Sequence, residues 1–87
     1  MIIELEEKLL EAIDQTVATA SDDELFAGGY LRGHISLSAA GCEAEGVQDV
    51  EVFKQRIQSS LDQARNELTP ADQVIVADMW QSLVVKM

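Results

Sequence analysis

Three side chains that can take part in chemistry lie close together in the sequence. Tyr30, Arg32 and His34 occupy every second position of residues 30–34. Histidine can act as a general base or as a metal ligand. An arginine flanked by glycine can reach out to hold an anion. With Asp78 as a carboxylate and Trp80 near it in sequence, these residues form a candidate functional cluster. A small ligand-binding protein or enzyme is therefore one hypothesis.

Each of these groups also has a structural interpretation. A helical wheel places His34 in the middle of an apolar face, where its ring nitrogens need a partner when buried. Asp78 is the first choice for that partner and Glu6 is the second. Arg32 can pair with one of the 16 carboxylates of the chain. The structural interpretation therefore predicts that carboxylates hold both side chains.

Known motifs of catalytic and metal sites are missing from the sequence. Residues 28–33 have the glycine spacing of a phosphate-binding loop, but His34 and Ile35 stand where lysine and serine or threonine are required. A single histidine without a second ligand one turn away excludes a histidine-rich metal site. The composition does not exclude a Ser-His-Asp catalytic triad, but the sequence contains no nucleophile-elbow motif. We therefore expect no catalytic, cofactor-binding or metal-binding residues, and an enzyme is the less favoured hypothesis.

The charge of the chain excludes several kinds of partner. Sixteen acidic residues against six basic ones give a net charge of −10, whereas nucleic acids and anionic membranes both favour Lys and Arg. No apolar run of about 18 residues is present, so we expect no membrane span. The acidic start lacks the basic and apolar regions of a signal peptide, and the single Cys42 cannot form an internal disulfide. We therefore expect a cytoplasmic protein, with Cys42 as an incidental thiol in a loop.

The apolar residues recur at helical spacing along the chain. This pattern predicts helices over about 2–20, 22–40, 50–68 and from 70 onwards, with Met87 on the apolar side of the last helix. With short connections, these helices predict an all-α fold, a compact antiparallel bundle of about four helices. A chain of 87 residues has room for one domain, which we expect to span residues 1–87.

Local signals mark where the helices begin and end. Ser21 and Glu24 have the spacing of a capping box at the start of the second helix. Gly41 is expected to end that helix. Thr69 followed by Pro70 predicts the start of the last helix.

The second helix contains three glycines, at 28, 29 and 33, and each should cost about 0.8–1 kcal/mol relative to alanine in a helix interior. Gly29 and Gly33 lie one turn apart on one face, where another backbone could approach closely. We therefore expect Gly33→Leu to be more harmful than Gly28→Ala. The wheel predicts a broad apolar arc around His34, formed by Phe26, Tyr30, Leu31, Ile35 and Leu37.

The last helix carries two kinds of apolar residue. Trp80 lies at the centre of its main apolar face and is expected to be buried against the first and second helices. Ile75 and Met79 lie off that face, where they either pack under a neighbouring helix or form part of an interface. Together with Gly29 and Gly33 they form the candidate interface. These features favour a non-enzymatic protein-interaction module that binds an unknown protein partner or forms a homo-oligomer.

Two blocks of sequence resemble the YfcL-like family, small bacterial proteins found mainly in gamma-proteobacteria. The first block comprises residues 21–26 (SDDELF) and 29–34 (GYLRGH), and the second comprises residues 68–73 (LTPADQ) and 78–80 (DMW). The sequence departs from the family pattern at residues 42–46 and at Gly28, where a small residue such as serine is expected. The resemblance implies a small, soluble, cytoplasmic helical protein. It implies no activity, and it supplies no catalytic or binding residues.

The acidity of the chain motivates a third hypothesis. A surface with a net charge of −10 can imitate nucleic acid and occupy the groove of a basic protein. Cytoplasmic proteins are also commonly acidic for solubility alone. Retention of basic proteins from a lysate at low salt distinguishes the two interpretations.

Overall fold

The computed structural model describes residues 1–85 and contains four α-helices within that range. They are α1 (Ile2–Gln15), α2 (Asp22–Glu45), α3 (Val50–Ala64) and α4 (Pro70–Val84), and a short 3₁₀ turn (Arg65–Glu67) lies between the last two. These described residues contain no β-strand, so the predicted all-α class is confirmed. The predicted apolar position at Met87 lies outside the described range. None of the four helices has the length and apolar character needed to cross a lipid bilayer.

All four helices begin where the sequence predicts, and three of them begin at a residue whose side chain caps the first turn. The hydroxyl of Ser21 accepts a hydrogen bond from the backbone N–H of Glu24, and the Glu24 carboxylate accepts one from the N–H of Ser21. Asp49 caps α3 through its side chain. Thr69 caps α4, with Pro70 at the first helical position. Each cap satisfies backbone donors that the first helical turn leaves without a partner.

Helix α1 is shorter than predicted and ends at Gln15 instead of near residue 20. The hydroxyl of Thr16 donates a hydrogen bond to the carbonyl oxygen of Ile13 at 2.7 Å. Residues 16–19 then form turns. Thr16, Val17 and Thr19 are β-branched, which lowers helix propensity, and a threonine hydroxyl competes for the backbone groups that continue a helix.

Helix α2 is longer than predicted, because Gly46 rather than Gly41 ends it. Gly46 has a φ of 72°, the left-handed conformation that favours glycine at a helix C-terminus. Gly41 stays helical, and a Cβ placed there would lie 3.5 Å from Nη1 of Arg56 on α3. Consequently Cys42, predicted as a loop thiol, lies on α2 with its side chain fully buried.

Helix α2 is the centre of the fold and packs against α1, α3 and α4. The core contains apolar side chains from all four helices, which are Ile2, Leu9, Ile13, Ala27, Leu31, Ile35, Ala39, Cys42, Phe53, Ile57, Leu61, Val76, Trp80 and Leu83. The predicted burial of Trp80 is confirmed, since its side chain is 2% exposed, but its indole N–H turns to Gln58 of α3, a helix that the prediction did not name.

The apolar arc predicted for α2 is only partly correct. Leu31 and Ile35 are fully buried, whereas Phe26 is 42% and Leu37 is 69% exposed. The face that the neighbouring helices cover is instead rich in small residues, which are Ala27, Gly28, Ser38 and Ala39. Small side chains let α1 and α4 approach the α2 backbone closely at these positions, whereas Phe26 and Leu37 lie on the opposite side of the helix.

The glycine at which another helix comes close is Gly28, and the prediction for Gly29 and Gly33 within the fold is wrong. A Cβ at Gly28 would lie 3.0 Å from Cγ2 of Ile13 on α1 and 3.9 Å from the sulfur of Met79 on α4. At Gly29 and Gly33 no atom lies within 4 Å of the corresponding position. Both glycines are exposed to solvent.

Candidate functional site

The predicted cluster of Tyr30, Arg32, His34, Asp78 and Trp80 does not converge on one site. At about 100° per residue, Arg32 and His34 lie on opposite flanks of α2. Arg32 turns to α1, where Nε donates to Oδ1 of Asp14 at 2.8 Å and Nη2 donates to Oδ2 at 2.7 Å. The carboxylate partner predicted for the arginine is therefore present, and the guanidinium ties α1 to α2.

His34 turns to α3 and has a different partner from the one predicted. Its Nδ1 lies 2.6 Å from Oγ of Ser60, while Asp78 lies on α4. The flank of α2 that carries His34 faces α3, so neither Asp78 nor Glu6 of α1 holds the ring. A catalytic serine nucleophile requires an imidazole next to it that acts as a base, and a third group that orients this base. Among residues 1–85, however, no third group forms a hydrogen bond with the ring and orients it.

Tyr30 is the one predicted cluster member that lies beside His34. The two ring centroids are 4.6 Å apart, and the Tyr30 hydroxyl donates to the carbonyl oxygen of Ala64 at 3.4 Å. Burial, and to a lesser degree the negative charge of Glu67, raise the pKa of Tyr30. The tyrosine therefore stays protonated and keeps its hydrogen-bond donor at neutral pH, which ties α2 to the end of α3.

The remaining two members of the predicted cluster lie in separate places on α4. The indole N–H of Trp80 donates to Oε1 of Gln58 at 2.9 Å, so the ring belongs to the core and faces α3. Asp78 is exposed to solvent and lies on the side of α4 that faces α1. Gln58 and Ser60 were not among the predicted site residues, because only the packing of α3 against α2 and α4 shows their roles.

The ion pair between Asp14 and Arg32 makes a testable contribution to acid stability. The hydrogen bond and charge of Arg32 lower the pKa of Asp14 from its ordinary value of 3.8. A carboxyl group whose pKa is lower in the folded state than in the unfolded state stabilises the protein at pH values above its unfolded-state pKa. This stabilisation is lost as the pH falls through the folded-state pKa. We expect Asp14→Asn to lower the urea midpoint at neutral pH. The difference in urea midpoint from the wild type should begin to narrow near pH 3.8 and disappear below the folded-state pKa of Asp14, whereas a difference that stays constant under acid would contradict the assignment.

The predicted interface of Gly29, Gly33, Ile75 and Met79 separates into two surfaces. The first is the outer face of α2, which we define as the exposed residues Phe26, Gly29, Gly33, Leu37, Ala40 and Ala44. Their spacing places them on one side of the helix, opposite the core. None of them is charged, which is unusual on the surface of a protein with 16 acidic side chains.

The second surface is a groove between α1 and α4, with the start of α2 at its edge. This α1–α4 groove has a volume of about 420 Å³ and is lined by Ala12, Ile13, Thr16, Glu24, Ile75, Asp78, Met79, Ser82 and Leu83. Ile75 and Met79 are half-buried and pack against the core. They therefore pack between helices, as one interpretation predicts, and the part that they leave open lines the groove.

A further cavity of about 470 Å³ lies between α3 and α4. Its lining includes Tyr30, Leu61, Arg65, Val74 and Trp80. Arg65 donates a hydrogen bond to Gln73 at 3.4 Å.

Within the described chain, no group of three His, Cys, Asp or Glu side chains is placed to hold a metal ion.

Comparison with known proteins identifies the family. The family model described as YfcL protein matches residues 3–85. The chain belongs to the YfcL family. A relative from Escherichia coli (strain K12), Uncharacterized protein YfcL, is 45% identical over 85 residues, which cover 95% of this chain and 92% of the relative. No solved structure matches the chain. The family predicted from the two sequence blocks is thus confirmed, and YfcL membership assigns no site residue.

Proposed function

We propose that this YfcL-family chain is a non-enzymatic protein-interaction module that associates with a second copy of itself through the outer face of α2. The observation that supports this most is the exposure of that face on the central helix of the fold. Phe26 is 42% and Leu37 is 69% exposed, and no neighbouring helix covers Gly29 or Gly33. Uncovered apolar residues grouped on one helix face are characteristic of protein interfaces.

The arrangement of large and small residues on this face is self-complementary. In a symmetric pair of antiparallel helices, the two-fold axis passes beside the same residue of both copies. A residue that lies a given number of positions before that point therefore faces the residue that lies the same number of positions after it in the second copy. With the axis at Gly33, Phe26 lies level with Ala40 of the second copy. Gly29 lies level with Leu37 of the second copy, four residues from the axis on either side. Each large side chain therefore faces a small residue, and Gly33 faces Gly33 where the backbones are closest.

The charge and size of this face predict a weak and salt-dependent dimer. From Phe26 to Ala44 the face is about 27 Å long, and we expect each copy to bury less than the roughly 800 Å² of a standard interface. Antiparallel pairing also brings Asp22 and Asp23 of one copy near Glu43 of the other. Salt screens such repulsion, because the Debye length is about 3 Å at 1 M against about 10 Å at 0.1 M. We expect association at high micromolar concentration that strengthens with added salt.

Sedimentation equilibrium of matched variants tests this proposal. Leu37→Glu places a carboxylate inside the paired face, and we expect it to weaken dimerisation by at least about tenfold. Val74→Glu is the control, since Val74 is a 59% exposed aliphatic residue on α4 outside the outer face. It makes the same change in net charge and should dimerise like the wild type. A wild-type chain that stays monomeric at high concentration and high salt would overturn the proposal.

A second variant separates association from folding. Gly33→Leu meets open space in the monomer, so it should fold at least as stably as the wild type. In the proposed dimer the same leucine blocks the closest approach of the two backbones, and association should be lost. Unchanged dimerisation of Gly33→Leu would exclude pairing centred on this residue.

A further inference from the structure

We infer that the α1–α4 groove binds a basic amphipathic segment of a different protein. This groove lies apart from the outer face of α2, so the inference does not depend on self-association. Two properties of its lining point to this occupant, namely an apolar floor and a rim that can only accept hydrogen bonds.

The floor of the groove is apolar and open. Ile13 and Leu83 are buried beneath it, while Ile75 and Met79 are half-buried and keep part of their side chains accessible. Methionine adapts its shape to different partners because its side chain is unbranched and its sulfur is polarisable. A volume of about 420 Å³ is within the usual range for binding clefts. The floor thus fits bulky apolar side chains.

The rim of the groove offers acceptors and no free donors. Asp78 is exposed and its carboxylate forms no hydrogen bond or ion pair with any residue from 1 to 85. Glu24 of α2 also lines the groove, and one of its carboxylate oxygens accepts the N–H of Ser21. The hydroxyl of Thr16 already donates to the carbonyl of Ile13 at 2.7 Å. The hydroxyl of Ser82 already donates to the carbonyl of Asp78 at 3.1 Å. No arginine or lysine of the described chain lines the groove, so an occupant has to bring its own donors.

These properties determine the chemistry of the occupant. An apolar floor flanked by carboxylates is complementary to a segment that carries bulky apolar residues with lysine or arginine one helical turn away. The net charge of −10 attracts such a segment over a longer range and opposes acidic ones. The two carboxylates on the rim are too few to hold a metal ion, in agreement with the absence of a metal cluster among residues 1–85.

Peptide binding to single-residue variants tests the inference. The probe is a fluorescently labelled helical peptide of leucine and lysine, and its counterpart carries glutamate in place of lysine. We expect fluorescence anisotropy to show saturable binding of the lysine peptide alone. Asp78→Lys should weaken that binding by at least about tenfold. Ile75→Ala, checked for folding by circular dichroism, should weaken it several-fold because it removes part of the floor.

Two matched variants distinguish the groove from general attraction to an acidic protein. Glu7→Lys makes the same charge change as Asp78→Lys, at an exposed position of α1 outside the groove. It should keep the affinity within about threefold, whereas an equal loss in both variants would overturn the inference. Leu37→Glu, on the outer face of α2, should keep peptide binding. Loss of binding with Leu37→Glu but not with Asp78→Lys would assign the peptide to the other surface and also overturn the inference.

Discussion

Trp80→Ala should lower the free energy of unfolding by about 3–5 kcal/mol, the range for removal of a large aromatic side chain from a core. The ring is 2% exposed and lies among core residues contributed by all four helices. Most of the loss comes from the cavity that remains and from the apolar area returned to water. The hydrogen bond to Gln58 contributes little, because Gln58 is exposed and water can replace the indole N–H.

Urea denaturation followed by far-ultraviolet circular dichroism measures this loss without the tryptophan signal. Val74→Ala on the same helix is the control, since Val74 is 59% exposed, and its effect should stay within about 0.5 kcal/mol. Small domains have only about 5–15 kcal/mol of stability in total, so we expect Trp80→Ala to be partly unfolded near body temperature. A loss below about 1 kcal/mol would mean that α4 does not bury this face.

Helix starts were predictable because the residues that cause them are close together in the sequence. Ser21 and Glu24 form their two hydrogen bonds within a single turn, and Thr69 followed by Pro70 acts over a similar distance. The end of α2 depends instead on which glycine adopts a positive φ. Gly41 and Gly46 are equivalent as residue types, but Gly41 lies next to the Arg56 side chain and stays helical, whereas Gly46 adopts the positive φ.

Which face of α2 is buried could not be read from hydrophobicity, because both faces lack charge over several turns. Phe26 and Leu37 are more apolar than Ala27 and Gly28, yet the small residues are the ones covered. Close helix packing favours small residues where backbones approach. A helical wheel shows where the apolar side chains lie around the helix. It contains no information on how closely a neighbouring helix approaches.

The partners in the candidate cluster were unpredictable for a related reason. Arg32 pairs with a residue 18 positions away and His34 with one 26 positions away. A carboxylate for Arg32 was expected because acidic residues are abundant, but the identity of Asp14 depends on how α1 lies on α2. Ser60 was not considered for His34, because the acidic composition favours a carboxylate as the partner. Net charge gives no information on which serine lies on the neighbouring helix.

The same substitution at two glycines of α2 should change stability in opposite directions. At Gly28 a new Cβ would meet the side chain of Ile13 at 3.0 Å, and the further atoms of a leucine would also meet Met79. Overpacking of this kind costs about 1–3 kcal/mol. At Gly33 a leucine projects into solvent and gains about 0.8 kcal/mol of helix propensity. The sequence predicts instead that Gly33→Leu meets a packed neighbour and is more harmful than Gly28→Ala.

Comparison of Gly28→Leu with Gly33→Leu therefore isolates the effect of close packing. Both variants add the same side chain to the same helix, so differences in hydrophobicity and unfolded-state entropy cancel. Thermal unfolding at low protein concentration keeps the chains monomeric and removes any contribution from association. Gly33→Leu should unfold at a higher temperature than the wild type, and Gly28→Leu at a lower one. Equal midpoints for the two variants would show that α1 and α4 do not close on the α2 backbone at Gly28, and the packing that leaves the outer face uncovered would then be wrong.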